Sequence, residues 1–537
     1  MKRRGRQQRD DASGPSRRNF LASLGAGAVV ATVAPTATLV AGTATAPTAA
    51  AVPPPVSVDR FTRLFNLPPF AEATPQVQAA LVELGAPGGL LDAKDALTVP
   101  DAPRQLIVDP ALSVNNPNNP THTAGTTFMG QFMDHDITFD LVSTLGVPFS
   151  VDASVNGRRP YFDLDSVYGA GPTGSPQLYE PAGGGIKFRV ENGGLFEDLP
   201  RDAGNTAIIG DRRNDENIII AGLHAAFLLF HNGAVDLVKG RPPSASPSTV
   251  FEQARNLTRW HYQWVILHEF VPLFVGQATV DDVLAHGRRF YTPPMGRAQI
   301  PVEFQGAAYR FGHSMVRPSY RANMAGDLGK PFFALIFDAA QGGPDPADLS
   351  GGHRAARRFV GWQTFFDFGV DPFTGVREVK PNKRIDTHIS TPLFNLPLPT
   401  LPFPGGPNAL AQRNLLRHLT WQLPSGQAIA QFIGAPVLGK NDFKELKSFG
   451  VDLDQSTPLW YYVLKEAQLI EDGLHLGPVG GRIVAEVILG LLQADPTSYL
   501  NQPGWTPTFP APFSGAGNFR MVDFLAFAGV DPASRHQ

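Results

Sequence analysis

The sequence contains no cysteine in its 537 residues. This absence excludes disulfide bonds, thiolate-ligated haem, iron–sulfur clusters and thiol nucleophiles. Histidine and carboxylate side chains remain as the available ligands. Stability must therefore come from core packing and from any bound ion or cofactor.

Charged residues are also scarce. They make up 17% of the chain, with a formal net charge of −3 and a pI near 6.5. This charge balance gives no sign of a basic surface that would attract nucleic acid or an anionic membrane. Hydrophobic residues account for 43%, which is ample for a large buried core. We expect a globular protein with neither of these partners.

The first 50 residues have the pattern of an export signal. Arg17 and Arg18 precede a mildly apolar Ala/Gly/Val run, and small residues near Ala46 and Ala50 suit cleavage. The arginine pair followed by NFL resembles a bacterial twin-arginine signal, which implies a periplasmic or extracellular protein. A membrane anchor or disordered tail is the alternative, but Pro35 interrupts a run that is weakly hydrophobic for a stable membrane span. Removal of residues 1–50 would take away seven Lys/Arg and two Asp and change the formal net charge from −3 to −8.

The rest of the chain is predicted to be mainly helical, with very little β-structure. Residues 51–110 read as an N-terminal extension, and residues 111–537 as one large helical domain with long loops rich in its 50 prolines and 54 glycines. Apolar residues recur at three- and four-residue steps in five stretches. These stretches are TTFMGQFMDHDITFD, ENIIIAGLHAAFLLFHNGAVDLV, TVFEQARNLTRWHYQWVILHEFVPLFV, ALAQRNLLRHLT and GGRIVAEVILGLLQ.

A histidine lies on an apolar stripe in the stretch GQFMDHDITFD. Phe128, Phe132, His135 and Phe139 are spaced to share one helix face, and Gln131 lies one turn before the histidine. Such a helix would present His135 to a buried pocket. The structural alternative is a core histidine paired with a neighbouring acid.

Two aspartates flank this histidine. Asp134 and Asp136 project about 100° to either side of it on a helix, towards different partners. A buried carboxylate without a partner is costly, so each one implies a cation, a covalent bond or a strong donor.

Further stretches add candidate residues that are weak signals when taken singly. In GDRRNDEN, Arg213 precedes a predicted helix whose first turn holds Asp215 and Glu216, where acids often serve the helix dipole. In RRPYFDLDSVYG, Asp163 and Asp165 occupy alternate loop positions, an arrangement suited to a hard cation. The stretch AYRFGHSMVRPSYR places one more histidine on an apolar stripe, His313.

Taken together, the motifs resemble the animal-type haem peroxidase family, the peroxidase–cyclooxygenase superfamily, in its bacterial exported branch. The resemblance covers roughly residues 110–530. It depends on the chain order GQFMDHD, LDSVYG, GDRRNDEN, YRFGHSMVRP, RNLLRH and LGPVGGRIVAEVILGLL. It implies a haem b enzyme whose fold is a single large helical domain.

The resemblance also assigns roles. His135 would be the distal base, Gln131 a hydrogen-bonding neighbour in its cavity, and Arg213 the cation that assists peroxide cleavage. His313 would ligate the haem iron, and Asn414, opening a later helix, would support that ligand through its other ring nitrogen.

The acids receive roles in the same way. Asp134 and Glu216 would form ester bonds with haem methyl groups. Asp136 would bind calcium and so clamp the distal helix to the Asp163 loop. The remaining calcium ligands implied are Asp163, Asp165 and the carbonyls of Tyr161 and Arg159, where Arg159 replaces the family's usual threonine.

Two departures from the family pattern bear on the substrate. Cyclooxygenase-type relatives carry a radical-forming tyrosine three residues before the proximal histidine, whereas this chain has Arg310 there and Tyr309 one position further away. Where mammalian halide-oxidising relatives have a methionine that forms a sulfonium link to haem, this chain has Asn217. The first departure disfavours fatty-acid dioxygenation, and the second disfavours the most oxidising halide chemistry.

The sequence therefore predicts an exported, calcium-containing haem peroxidase. It would reduce hydrogen peroxide and oxidise a small donor, such as iodide, thiocyanate or a phenol, through a ferryl intermediate. The alternatives are a fatty-acid dioxygenase of the same superfamily that uses another tyrosine, and a non-catalytic haem- or calcium-binding surface protein. The physiological donor and the oligomeric state remain open.

Overall fold

The computed structural model describes residues 59–182, 184–193, 195–241, 245–397 and 406–536. The predicted export signal lies outside the described residues, as does the middle of the proline-dense stretch that begins at Asn395.

The helix Gly125–Ile137 carries the predicted apolar stripe. Phe128, Phe132 and His135 are all buried on it. Phe132 stacks on Phe227 of the helix Ile218–Lys239 with ring centroids 4.4 Å apart, so the two helices pack through aromatic side chains.

This helix is shorter than its hydrophobic pattern suggests. Thr138 adopts extended backbone angles and ends the helix, so the prediction that Phe139 continues the stripe is wrong. The cause is a distant residue, because the Asn156 side chain donates to the Ile137 carbonyl and accepts from the Phe139 N–H. The Phe139 ring instead lies 4.3 Å from the guanidinium carbon of Arg213.

The five predicted helical stretches all form helices. The third one continues through a π-helical segment, Ile266–Phe270, into Val271–Val275. Pro272 lacks a backbone N–H, which accounts for the local widening of the helix. The α-helices are Pro75–Leu84, Ala102–Val108, Gly125–Ile137, Asp165–Tyr168, Gly171–Gly174, Ile218–Lys239, Pro247–Val265, Val271–Val275, Gln277–His286, Val302–Gly306, Gly312–Met315, Leu410–Thr420, Gly426–Ile433, Leu459–Ile470, Pro478–Ala494, Met521–Phe527 and Pro532–Arg535.

Strands are few and short, as predicted. They form three separate antiparallel pairs among the described residues. The pairs are Asn118–Thr123 with Pro381–Lys383, Glu191–Asn192 with Glu197–Asp198, and Ser319–Asp327 with Lys330–Leu335. The mainly helical fold class is therefore confirmed.

One contiguous hydrophobic core joins the described parts of the chain. It extends from Phe61 to Val530 and includes Phe65, Leu81 and Leu84. Residues 59–110, predicted as an N-terminal extension, thus contribute buried side chains to the same core as the helices around the site.

The helix Ile218–Lys239 is long and apolar enough to span a membrane by length and composition. Of its most apolar 18-residue window, 78% is buried inside the protein. Its apolar character is thus accounted for by core packing, and it is the one described helix with this property.

Candidate active site

A cavity with about 1440 Å³ of empty space, its open mouth included, lies between the helices Gly125–Ile137 and Gly312–Met315. Its walls are largely apolar and include Phe128, Phe274, Phe311 and Leu410. Six of the residues singled out from the sequence also line it. They are Gln131, Asp134, His135, Arg213, Glu216 and His313.

His135 is held in one orientation by a buried amide. Its Nδ1 lies 2.9 Å from Asn214 Oδ1, while Asn214 Nδ2 lies 3.0 Å from His224 Nδ1. Because Asn214 donates to one ring and accepts from the other, His135 carries its proton on Nδ1 and keeps the Nε2 lone pair free. Burial and the neighbouring Arg213 cation lower the pKa of His135 to about 4, so the ring is a neutral base at neutral pH.

Arg213 is fixed by several acceptors. Its Nε and Nη2 donate to the Asp211 carboxylate at 3.1 and 2.8 Å, and Nη2 also donates to the carbonyls of His135 and Thr138. The remaining Nη1 lies 4.0 Å from Asp134 Oδ2. The guanidinium is therefore anchored on one side and presents Nη1 to the cavity wall.

Glu216 lies beside the histidine. Its Oε2 accepts from Gln131 Nε2 at 3.1 Å and is 3.9 Å from His135 Nε2. Burial raises the pKa of Glu216 to about 8, although Arg213 opposes the shift, so the carboxyl is mostly protonated at neutral pH. Asp134 is less enclosed, with 31% of its side chain exposed, and accepts from Thr138 Oγ1.

The backbone around Glu216 differs from the prediction. Arg212–Asp215 forms a 3-10 turn, and Asn217 caps the helix Ile218–Lys239 by accepting from two backbone N–H groups. Asp215 and Glu216 therefore precede the helix instead of forming its first turn. The segment is packed so closely that a Cβ at Gly351 would lie 1.7 Å from the Asp215 carbonyl oxygen, which explains the glycine.

His313 is supported by Asn414, but the amide is turned in an unexpected way. Asn414 Nδ2 lies 2.8 Å from His313 Nδ1, while Arg310 Nη1 donates to Asn414 Oδ1 at 3.4 Å. An iron-ligating histidine would donate from Nδ1 to the amide oxygen, whereas here the arginine binds that oxygen. Asn414 also lies inside the helix Leu410–Thr420 and does not open it. Burial, with Arg310 next, lowers the pKa of His313 to about 3 and keeps the imidazole neutral.

Three buried aspartates form a cluster behind the distal helix. Asp136, Asp163 and Asp165 each offer a carboxylate oxygen within 4.8 Å of the others. Leu164 between the last two has a φ of 62°, a left-handed conformation that is costly for leucine, and its N–H donates to Asp136 Oδ2. The strained loop therefore directs the acids towards one point.

The charges around this acidic cluster are only partly balanced. Burial raises the pKa of Asp165 to about 7, against the effect of Arg158, and raises that of Asp136 well above its ordinary value. Asp165 Oδ1 is buried without a hydrogen-bond partner among the described residues, 3.6 Å from Arg158 Nη1. The Arg159 guanidinium pairs with Asp163 Oδ2 at 2.8 Å.

The backbone carbonyls predicted as calcium ligands lie in the same loop. The Arg159 carbonyl accepts from the Tyr161 N–H at 2.8 Å, and the Arg159 N–H donates to Asp165.

Sequence reasoning missed several residues that shape the site. Asn214 and Asp211 both belong to the motif GDRRNDEN, but nothing in its spacing shows that one orients His135 and the other anchors Arg213. Three arginines also line the cavity, and they come from distant segments. These are Arg310, Arg413 and Arg417, the last of which pairs with Asp140 at 2.9 Å.

Part of the sequence matches a known protein family. Residues 142–331 match the profile of the family described as animal haem peroxidase. A peroxidasin homologue of Caenorhabditis briggsae is 21% identical over 387 residues, which cover 66% of this chain and 28% of that protein. The chain spans only 15% to 28% of the length of the first three curated relatives.

Two solved structures share the fold. Peroxidase A of Dictyostelium discoideum has a TM-score of 0.57 and 18% identity, and the match covers 82% of this chain and 89% of that one. A fatty acid alpha-dioxygenase of Oryza sativa has a TM-score of 0.50 and 13% identity, with 82% and 77% covered. The chain thus shares the mainly helical fold of these two proteins.

Residues 142–331 therefore resemble the animal haem peroxidase family. This resemblance implies haem as the cofactor.

Proposed function

We propose that this protein is a peroxidase that reduces hydrogen peroxide and oxidises a small donor such as iodide, thiocyanate or a phenol. One observation carries the proposal. A single cavity with apolar walls brings a neutral histidine and an anchored arginine, His135 and Arg213, together with a second neutral histidine, His313.

The residues present fit haem. His313 is the candidate iron ligand, because it lines the cavity and Asn414 lies at its Nδ1. To bind iron through Nε2 the ring would carry its proton on Nδ1 and donate to the Asn414 amide oxygen, so the amide would have to turn over from the orientation described above. Apolar side chains suit the macrocycle, and the cavity arginines, Arg310, Arg413 and Arg417, suit its two carboxylates. When bound, haem iron supplies the redox centre at which the oxygen–oxygen bond is cleaved.

The distal residues move the proton and stabilise charge. His135 Nε2 accepts a proton from one peroxide oxygen and returns it to the other, while Asn214 holds Nδ1. Arg213 Nη1 stabilises the negative charge that develops on the departing oxygen. Gln131 orients the Glu216 carboxyl beside this pair.

Asp134 and Glu216 are the candidate covalent attachment points. Each ester would form with loss of one hydrogen from the carboxyl and one from a haem methyl group, and one hydrogen peroxide per ester would take up both hydrogens and give two waters. Both acids line the cavity, and the protonated state of Glu216 suits an uncharged ester. Haem that resists acidic organic extraction after peroxide treatment, on peptides that contain these acids, would support the links. Complete extraction of unmodified haem b would contradict them.

The acidic cluster is the candidate calcium site. Its three buried carboxylates, a strained loop and an unpartnered Asp165 oxygen support a bound divalent cation. Tyr161 and Arg159 would add carbonyl ligands. The ion would connect the distal helix to the loop and so fix the backbone next to His135.

Fatty-acid dioxygenation is the second candidate function. Tyr309 is the one described tyrosine that lines the cavity, and its hydroxyl donates to the Gly130 carbonyl on the distal helix. A dioxygenase would consume oxygen with linoleate and lose this activity in Tyr309→Phe. A non-catalytic haem- or calcium-binding protein would neither consume oxygen with linoleate nor turn over peroxide.

The decisive experiment is stopped-flow mixing of the haem-loaded protein with hydrogen peroxide. We expect His135→Ala and Arg213→Ala each to slow the absorbance change by about 10²-fold or more while haem stays bound. Arg212→Ala, one position away on an exposed side chain, is the matched control and should react at the wild-type rate. Rates within a few-fold of wild type in either cavity variant would remove that residue from the mechanism.

Export remains a proposal that the N-terminal motif supports. A double variant with Arg17→Lys and Arg18→Lys should accumulate unprocessed in the cytoplasm of a host that possesses the twin-arginine pathway. Processing and export at the wild-type level would contradict the proposal.

A further inference from the structure

Half of the protein's tryptophans gather in one place, away from the cavity. Of six in the sequence, Trp260, Trp264 and Trp505 are half-buried, and Trp505 contacts each of the other two. The Trp505 ring lies 5.5 Å from Trp260 and 6.3 Å from Trp264, between centroids. The other three are fully buried elsewhere: Trp362, Trp421 and Trp460.

A tyrosine with a ready proton acceptor completes this group. The Tyr499 ring lies 5.6 Å from Trp505 and 5.7 Å from Trp264. Its hydroxyl lies 3.1 Å from Nε2 of His268, which is exposed and stacks on Trp264 at 3.8 Å. Loss of an electron from a tyrosine is accompanied by loss of its proton, and His268 can hold that proton and return it. We call Trp260, Trp264, Trp505 and Tyr499 the tryptophan patch.

Aromatic rings connect the patch to the distal helix. Phe132, next to Gln131, stacks on Phe227 at 4.4 Å, and Phe227 lies 4.5 Å from Phe524. Phe524 stacks on Phe230 at 3.9 Å.

The last steps reach the patch through a histidine. The His261 ring lies 5.8 Å from Phe230 and 5.2 Å from Trp505. Electron tunnelling decays steeply with distance, so these closely spaced rings form a route between the distal helix and the surface. Tyr262, which is fully buried, adds an oxidisable ring 5.3 Å from Phe227.

We propose that the tryptophan patch is a second oxidation site, at which donors too large for the cavity give up single electrons. The inference depends on the peroxidase function proposed above. Each hydrogen peroxide takes up two electrons and two protons and yields two waters. A patch residue loses one electron towards the cavity and regains one from the donor, so two donor molecules are each oxidised by one electron.

The geometry favours this reading over packing alone. Core aromatic clusters are normally enclosed, whereas these indoles are partly exposed and adjoin an exposed histidine. The donor class is a macromolecule or polymer that carries a one-electron reducing group, since a small donor can enter the cavity directly.

The test compares two probes on the haem-loaded protein. Iodide enters the cavity, whereas ferrocytochrome c is a protein and must react at the surface. We expect Trp505→Phe and Trp264→Phe to lower peroxide-dependent oxidation of ferrocytochrome c at least tenfold and to leave iodide oxidation within twofold. Trp362→Phe, the same substitution at a tryptophan outside the patch, should change neither rate.

A second readout does not depend on turnover. Peroxide-treated protein is incubated with a nitrone spin trap in the absence of donor, and the adducts are located by peptide mass spectrometry. Adducts on the peptides of Trp505, Trp264 or Tyr499 are expected. Adducts confined to Tyr309, or unchanged ferrocytochrome c oxidation in both patch variants, would overturn the inference. Failure of wild-type protein to oxidise iodide would instead overturn the proposed function.

Discussion

Single side chains in the site depend on partners that the sequence motifs do not reveal. His135 owes its tautomer to Asn214, and Arg213 owes its position to Asp211. A histidine and an arginine with free rotation would spend much of their time in unproductive orientations. The pre-organised pair therefore reduces the cost of placing both groups at the moment of peroxide cleavage.

Asn214 gives the sharpest prediction at this level. Asn214→Leu keeps a similar volume but removes the hydrogen bond that fixes His135 Nδ1. We expect the reaction with peroxide to slow by about 10- to 100-fold, with haem still bound, because supporting residues of this kind contribute effects of that size. Stopped-flow absorbance measures the rate.

His224→Leu serves as its control. His224 contacts Asn214 but does not line the cavity, so its loss should disturb local packing and slow the reaction much less. Equal slowing in both variants would show that packing, and not the orientation of His135, accounts for the effect.

Helices and loops determine which parts of the site were predictable. Regular apolar spacing placed His135 and Phe132 on the buried face of one helix, because a helix repeats its faces every three to four residues. The end of that helix was not predictable, since Asn156 fixes it across 17 to 19 residues of chain. The cavity arginines likewise come from segments that are distant in the sequence, and no local sequence pattern predicts that they line one cavity.

The acidic cluster joins a helix to a loop, and the next prediction concerns the proposed calcium ion that would connect them. Asp163→Asn, or removal of calcium by chelation, should lower the melting temperature and perturb the haem spectrum together. An ion present at 100 times its dissociation constant contributes about 2.7 kcal/mol to folding stability. Elemental analysis and thermal melts with and without chelator measure both effects.

The matched control is another buried aspartate, Asp92. It accepts backbone N–H groups of Gly88 and Lys94 and lies outside the acidic cluster. Asp92→Asn should lower stability but leave the response to chelator intact. Active wild-type protein without calcium would rule out the ion and leave Arg158 and Arg159 as the counter-charges of the cluster.

The molecule as a whole links its two candidate sites through one buried carboxylate. Asp211 accepts from Arg213, which lines the cavity, and from Arg158 Nε at 2.8 Å, and Arg158 Nη2 forms an ion pair with it at 2.7 Å. Arg158 Nη1 in turn lies 3.6 Å from Asp165 in the acidic cluster. A continuous series of charges therefore runs from the cavity to the proposed calcium site, so a substitution at one end should change the electrostatic environment at the other.

Asp211→Asn tests this link through global stability and its dependence on pH. Although burial alone would raise the pKa of Asp211, the guanidinium groups of Arg213 and Arg158 hold it well below the ordinary value of 3.8. A carboxylate with a lowered folded-state pKa contributes stability that is present above its unfolded value and is lost as the pH falls below it. Removal of the charge leaves two buried arginines without their anion, at a cost of roughly 3–5 kcal/mol at neutral pH.

We expect the variant to melt well below wild type between pH 5 and 8. The difference in melting temperature should narrow below about pH 4, where the stabilisation from the wild-type carboxylate begins to be lost. Thermal melts across this range measure the difference. Because Arg158 also faces Asp165, the variant should in addition bind the proposed calcium ion more weakly, since the arginine released from Asp211 can pair more fully with Asp165 and compete with the cation. A difference in melting temperature that does not depend on pH would show that Asp211 acts through shape and hydrogen bonding and not through its charge.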